Sequence, residues 1–175
     1  MFNNVFNSPN HVRLIVMGVM AVVILAFVNM EIAGKERIVR DGTTVLLRLA
    51  PRDPRSLMQG DYMALRYSMA GTVATAADDA GVTDGRIIIE LQDNEEAKFV
   101  AIYNGQSLDR RQHLLRFRKR GDSVRLASDA FFFEEGQWEL YSGAQFGELR
   151  VDDDGDAVLT GLRDLDDSRL GPPLH

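Results

Sequence analysis

The sequence predicts a mainly β protein: one N-terminal transmembrane helix, then one curled antiparallel β domain with one or two short helices. Three observations predict it. The run Leu14 to Val28 holds only apolar residues and Gly. Beyond it, short apolar stretches, some alternating with polar residues, are cut at close intervals by Gly, Pro, Asp and Asn, the pattern of strands joined by turns. The chain also has no cysteine, so the domain folds on core packing, without disulfides or thiolate metal sites.

The apolar run is short for a bilayer, which takes about 20 residues of helix. Its flanks extend it. Arg13 can snorkel to the head groups, Val12 adds length, and Asn29 to Ala33 reach the far interface. A cleaved signal peptide needs a small-x-small site, and Asn29-Met30-Glu31-Ile32-Ala33-Gly34 is a poor one. The expected layout is a cytoplasmic tail (1–11), an anchor (12–33), a charged connector (34–42), the β domain (43–165) and a flexible tail (166–175). Lys35, Arg37 and Arg40 follow the run and mildly oppose this orientation. A long C-terminal domain translocates largely regardless of charge, so the domain is placed outside the cytoplasm.

Thr43 to Ala50 reads as the first strand. Pro51 and Pro54 then break ladders, making 51–59 a loop. Asp61 to Ser68 alternates, with Met63, Leu65 and Tyr67 facing the core and Tyr62, Ala64 and Arg66 facing away. A loop or weak helix covers Val73 to Ala80. Arg86 to Leu91 pairs with Ala97 to Tyr103 across an Asp93-Asn94 turn. His113 to Arg118 returns through the Arg120-Gly121-Asp122 turn to Ser123–Leu126. Trp138 to Gln145 is a short helix. Glu148 to Val151 and Ala157 to Leu162 flank Asp153-Asp154-Gly155-Asp156, the strongest hairpin signal in the chain.

The formal net charge of −6, with every acidic residue at or beyond Glu31, argues against nucleic acid as partner. Asp152 to Asp156 does not fit a calcium loop. Counted from Asp152, Gly155 falls at position 4 and Arg163 at position 12, where that loop needs Gly at 6 and Glu at 12. His11, His113 and His175 lie far apart and give no metal spacing. No cofactor is expected. A basic cluster, Arg110, Arg111, Arg116 and Arg118 with Lys119 and Arg120, reads as a solvated strand face or, beside an anchor, as a surface for anionic lipid.

Gly60-Asp61-Tyr62-Met63-Ala64-Leu65-Arg66-Tyr67, preceded by Asp53-Pro54-Arg55, resembles the GDYXXLXY domain family without a mismatch in its naming motif. Phe133-Glu134-Glu135-Gly136, Phe146 to Val151, and Gly155 with Leu159 to Asp164 are similar to its C-terminal part. The resemblance implies a membrane-anchored bacterial protein of uncharacterised function; with the anchor read above, the expected place is the bacterial inner membrane, the domain periplasmic or extracytoplasmic. It also implies a multi-spanning membrane protein as companion. It supplies no catalytic residues. In physical terms Gly60 and Asp61 suit a turn, Leu65 and Tyr67 fill the core, and Tyr62 lies on the other face. Asp53, Gly60, Asp61, Tyr62, Leu65 and Tyr67 are thus the motif residues for binding or for a structural corner.

Leu57-x-x-Gly60-Asp61 before a strand also looks like type I signal peptidases, whose anchored, curled β domain is a barrel. Arg52 stands where their nucleophilic serine would be, and Ser56 falls four residues late. A hydrolase of that type would need Ser56 with Lys98 or Lys119 as base. The leading expectation is a non-enzymatic binding or accessory domain. A serine hydrolase and an anionic-lipid module are the alternatives.

Overall fold

The structure, a computed structural model, describes residues 9–51 and 62–172. It divides into two compact units, Met1–Arg37 and Ile38–His175.

The first unit belongs to α1 (Pro9–Asp41), a helix of 33 residues and about 50 Å at 1.5 Å per residue. Its apolar side chains from Val12 to Ile32 are all exposed, and the most apolar window has a mean hydropathy of 2.4 with none of it buried. A helical stretch that is apolar all round and exposed is one that water does not stabilise. The stretch expected as a connector is helical as far as Asp41. Lys35, Glu36 and Arg37 are compatible with helix, and no Pro or Gly breaks it between Lys35 and Asp41.

The second unit is mainly β. β1 (Thr43–Arg48), β8 (Phe146–Val151), β9 (Ala157–Arg163) and β10 (Arg169–Leu170) form one curled sheet in the order β1-β8-β9-β10. A second sheet runs β4-β3-β5-β6, from β3 (Asp84–Leu91), β4 (Ala97–Ile102), β5 (Gln112–Arg120) and β6 (Ser123–Arg125). β2 (Tyr62–Ala64) and β7 (Ala130–Phe132) make a two-stranded ribbon. Every strand pair is antiparallel. Two short helices complete the domain: α2 (Ala70–Ala80), which buries Val73 and Ala77 one turn apart, and α3 (Trp138–Tyr141).

The inward side chains of the sheets meet in one core: Val45, Leu47 and Leu49 from β1 and beyond, Ile87 and Ile89 from β3, Leu115 and Phe117 from β5, and Leu149 and Val151 from β8. Period-two alternation delivers them, and the expected strands are present; α2 is helical where the sequence allowed a loop or a weak helix, and α3 is shorter than the helix expected from Trp138 to Gln145. β10 stands where a flexible tail was expected. It is too short to carry a periodic signal and is held by pairing Arg169 and Leu170 with Arg163 and Leu162 of β9.

Two features join the sheets. The Asp152–Asp156 turn docks on the open edge of β5: the Arg116 N–H donates to Gly155 O at 2.8 Å, and Arg86 and Arg116 meet Asp154 and Asp156. Asp152 is spent on the turn itself, accepting from the Asp154 and Asp156 amides. The acidic run is therefore a hairpin turn that plugs a strand edge. On the other side the Leu46 N–H donates to Glu95 O at 2.9 Å, and Arg48 makes two hydrogen bonds to Glu96, at 2.8 and 3.0 Å.

The Arg48 hydrogen bonds hold the Glu96 carboxyl below its ordinary value, against the opposing effect of burial. A carboxylate with a depressed folded pKa stabilises the fold above its unfolded value, about 4.3, and loses that contribution as pH falls through the folded value. Wild type is therefore more stable than Glu96→Gln at pH 7, and the two converge below about pH 4, as thermal melts across pH will show.

Candidate functional site

The second half of the motif forms a bridge between elements. Tyr62 to Ala64 pair with Phe132 to Ala130, the Leu65 N–H donates to Asp129 O, and Tyr67 then bridges to Leu49 at the end of β1. Alternation buries Met63, Leu65 and Tyr67 and turns Tyr62, Ala64 and Arg66 outward, as the sequence predicts. Tyr67 donates its hydroxyl to Ser128 O at 3.0 Å. Burial, with the nearby charge of Asp129, pushes its phenol well above the ordinary range, so it is a neutral donor. Ser56, Asp53, Gly60 and Asp61 lie outside the described residues.

Beside this segment lies a cleft of about 830 Å³. One wall is Leu65 to Ser68 with the start of α2 at Ala70 and Gly71; the other is the β5–β6 hairpin. Arg66 comes from the first wall and Arg118, Arg120 and Arg125 from the second, together with Asp122 and Asp129. Leu65, Tyr67 and Val124 add apolar lining. Arg125 is ion-paired with Asp129. Arg66, Arg118 and Arg120 meet no carboxylate among the described residues, and all three are exposed.

The basic cluster of the sequence is divided by the fold. Arg111 reaches Asp93 and Leu91 O across the β3–β4 turn. Arg116 shares a strand face with Arg118 as expected, yet it is held by Asp156. Arg110 is exposed in the turn before β5. Of the four candidates, Arg118 lines the cleft. Arg66 and Arg125 were not singled out, because residues distant in sequence converge there only through the hairpin.

The two candidate lysines are engaged elsewhere. Lys119 donates to Asp78 of α2 at 2.7 Å with its side chain mostly covered, and Lys98 donates to Gln92 at 3.4 Å. Lys119 is a structural cation between β5 and α2.

Two further groupings escaped the sequence reading. On the ribbon, Tyr62 and its cross-strand partner Phe132 meet with ring centroids 5.8 Å apart and planes tilted by 39°. Both are exposed, Phe132 at 72%. Behind them Phe131 and Phe133 pack on Tyr141 of α3. On the outer face of the first sheet sits the buried carboxylate of Glu148, 5% exposed. Arg163 donates to it at 2.7 Å, Arg169 lies 3.6 Å away, and Thr160 donates at 3.3 Å. Burial disfavours the Arg163 charge, but its bonds to Glu148 and Asp167 outweigh that and raise its pKa. Satisfied on all sides and part of the sheet, this cluster is a structural clamp.

No curated protein and no solved structure matches the chain. A family model described as GDYXXLXY protein matches residues 24–162, which takes in the last helical turns of the apolar segment and almost the whole β domain. With the motif forming the bridge between ribbon and first sheet, and the matched C-terminal stretch supplying β8 and β9, the chain belongs to the GDYXXLXY protein family.

Proposed function

We propose that this protein is a membrane-tethered, non-catalytic binding domain of the bacterial inner membrane, facing the periplasm, and that it docks on a multi-spanning membrane protein through the Tyr62–Phe132 ribbon. The observation that carries the reading is the exposure of this aromatic pair. One member is a motif residue, and the other two described residues that name the motif, Leu65 and Tyr67, are buried. A solvent-facing aromatic pair on a short ribbon is costly in water, and aromatic side chains are favoured anchors at protein interfaces. The exposed apolar stretch Val12 to Ile32 of α1 supports the tether. The engagement of Lys98 and Lys119 supports a binding role over catalysis.

A photo-crosslinking residue at Phe132, in the full chain in native membranes, is expected to capture a multi-spanning protein. Tyr62→Ala should reduce the adduct several-fold. The same probe at Val100, an exposed position on β4, serves as control. Adducts with lipid alone, or equal protein adducts from both positions, would overturn the reading.

A further inference from the structure

We propose that the cleft walled by Arg66, Arg118, Arg120 and Arg125 is a binding site for a phosphate-bearing anion.

The argument starts from charge. The chain carries more acids than bases, and elsewhere on the sheets most of its arginines find carboxylates: Arg48 with Glu96, Arg86 with Asp154, Arg116 with Asp156, Arg163 with Glu148, while Arg150 donates to Gly42 O. In the cleft the balance reverses, with four arginines against two aspartates, one of them already used by Arg125. Arg118 and Arg125 also stand directly opposite each other on the β5–β6 hairpin. Like charges in register across a ladder destabilise it. Arg120 follows two residues later on the same face, and Arg66 faces the hairpin from the motif segment. A fold that gathers uncompensated guanidinium groups around a concavity gains stability when an oxyanion enters.

The chemistry narrows the ligand. Guanidinium forks match phosphate oxygens two at a time, which a single carboxylate exploits less fully in a site with several arginines. About 830 Å³ exceeds what one inorganic phosphate fills and is in the range of small-molecule sites. The apolar lining at Leu65, Tyr67 and Val124 suits the organic part of a phosphate ester. Such a group can come from an anionic phospholipid head group or from a soluble phosphate ester. The cleft adjoins the ribbon at Ala64, but neither aromatic of the proposed docking pair, Tyr62 or Phe132, lines it.

The test uses the full chain. In neutral detergent, inorganic pyrophosphate is titrated by calorimetry. In parallel, the chain is placed in nanodiscs of phosphatidylcholine with or without phosphatidylglycerol, and protection of the β5–β6 hairpin amides from hydrogen exchange is read. Saturable, salt-sensitive pyrophosphate binding supports a soluble source. Protection that appears only with phosphatidylglycerol supports the lipid. In either arm, Arg118→Gln with Arg120→Gln should weaken the signal about tenfold or more. Arg66→Gln, on the opposite wall, should weaken it independently. These side chains are exposed and unpaired among the described residues, so unchanged melts are expected. The proposal is overturned if neither probe binds, or if both variants bind as wild type does.

Discussion

Replacing Glu148 by Ala is expected to cost the domain about 3–5 kcal/mol, a fall in Tm of roughly 10 °C or more, measured by near-UV circular dichroism on the full chain in neutral detergent. The carboxylate is buried on the outer face of β8, between Leu46 of β1 and Gly161 of β9. Gly161 leaves the space in which the Arg169 guanidinium lies; a Cβ there would come within 2.9 Å of it. The bulge between β8 and β9 leaves Thr160 out of register, and its hydroxyl turns onto Glu148. Removing the carboxylate leaves Arg169 without its carboxylate and Arg163 with Asp167 alone, in a partly dry site. That cost belongs to the partners left behind and does not measure the cluster's net worth. Glu148→Leu combined with Arg163→Met and Arg169→Met should therefore recover much of the loss. A fall under about 1 kcal/mol for the single change would mean that water reaches the site and that the clamp is a surface ion pair.

This clamp also marks where the sequence stops being readable. Alternation placed the strands flanking Asp152–Asp156, because one face of each meets the main core and the turn chemistry is local. It also set the facing of Met63, Leu65 and Tyr67 against Tyr62, Ala64 and Arg66. β8 is covered on both faces, so Glu148 occupies a position that a one-sided strand would give to water. Its partners Arg163 and Arg169 come from later strands, and β10 is two residues long. The cleft failed for the same reason. A run such as Arg116 to Arg120 is visible in one dimension, but the acidic turn that neutralises Arg116 and the Arg66 that joins Arg118 are distant in sequence. Nothing in the run Phe131-Phe132-Phe133 reveals that its middle ring faces outward beside Tyr62. Ser56, Asp53, Gly60 and Asp61 remain readings of the sequence.

Tyr67→Ala is expected to cost about 3–5 kcal/mol, the range for deleting a large buried aromatic, and Tyr67→Phe about 1–2 kcal/mol, from the unsatisfied Ser128 carbonyl. The two substitutions separate ring from hydroxyl. The ring packs against Gly147 of β8, where an added Cβ would sit 3.2 Å from it, so the closing residue of the motif rests on the matched C-terminal stretch. The hydroxyl reaches the segment leading into β7. Tyr67 thereby holds together the first sheet, the ribbon and the inner edge of the arginine cleft. Global unfolding by denaturant gives the total cost. Hydrogen exchange gives its distribution: Tyr67→Phe should raise exchange first in β2 and β7, next to the lost Ser128 bond, while β3 and β5, which keep the ring in the shared core, keep their protection. If the loss spreads evenly over every strand, the motif is not a local staple, and its role would rest on the exposed Tyr62.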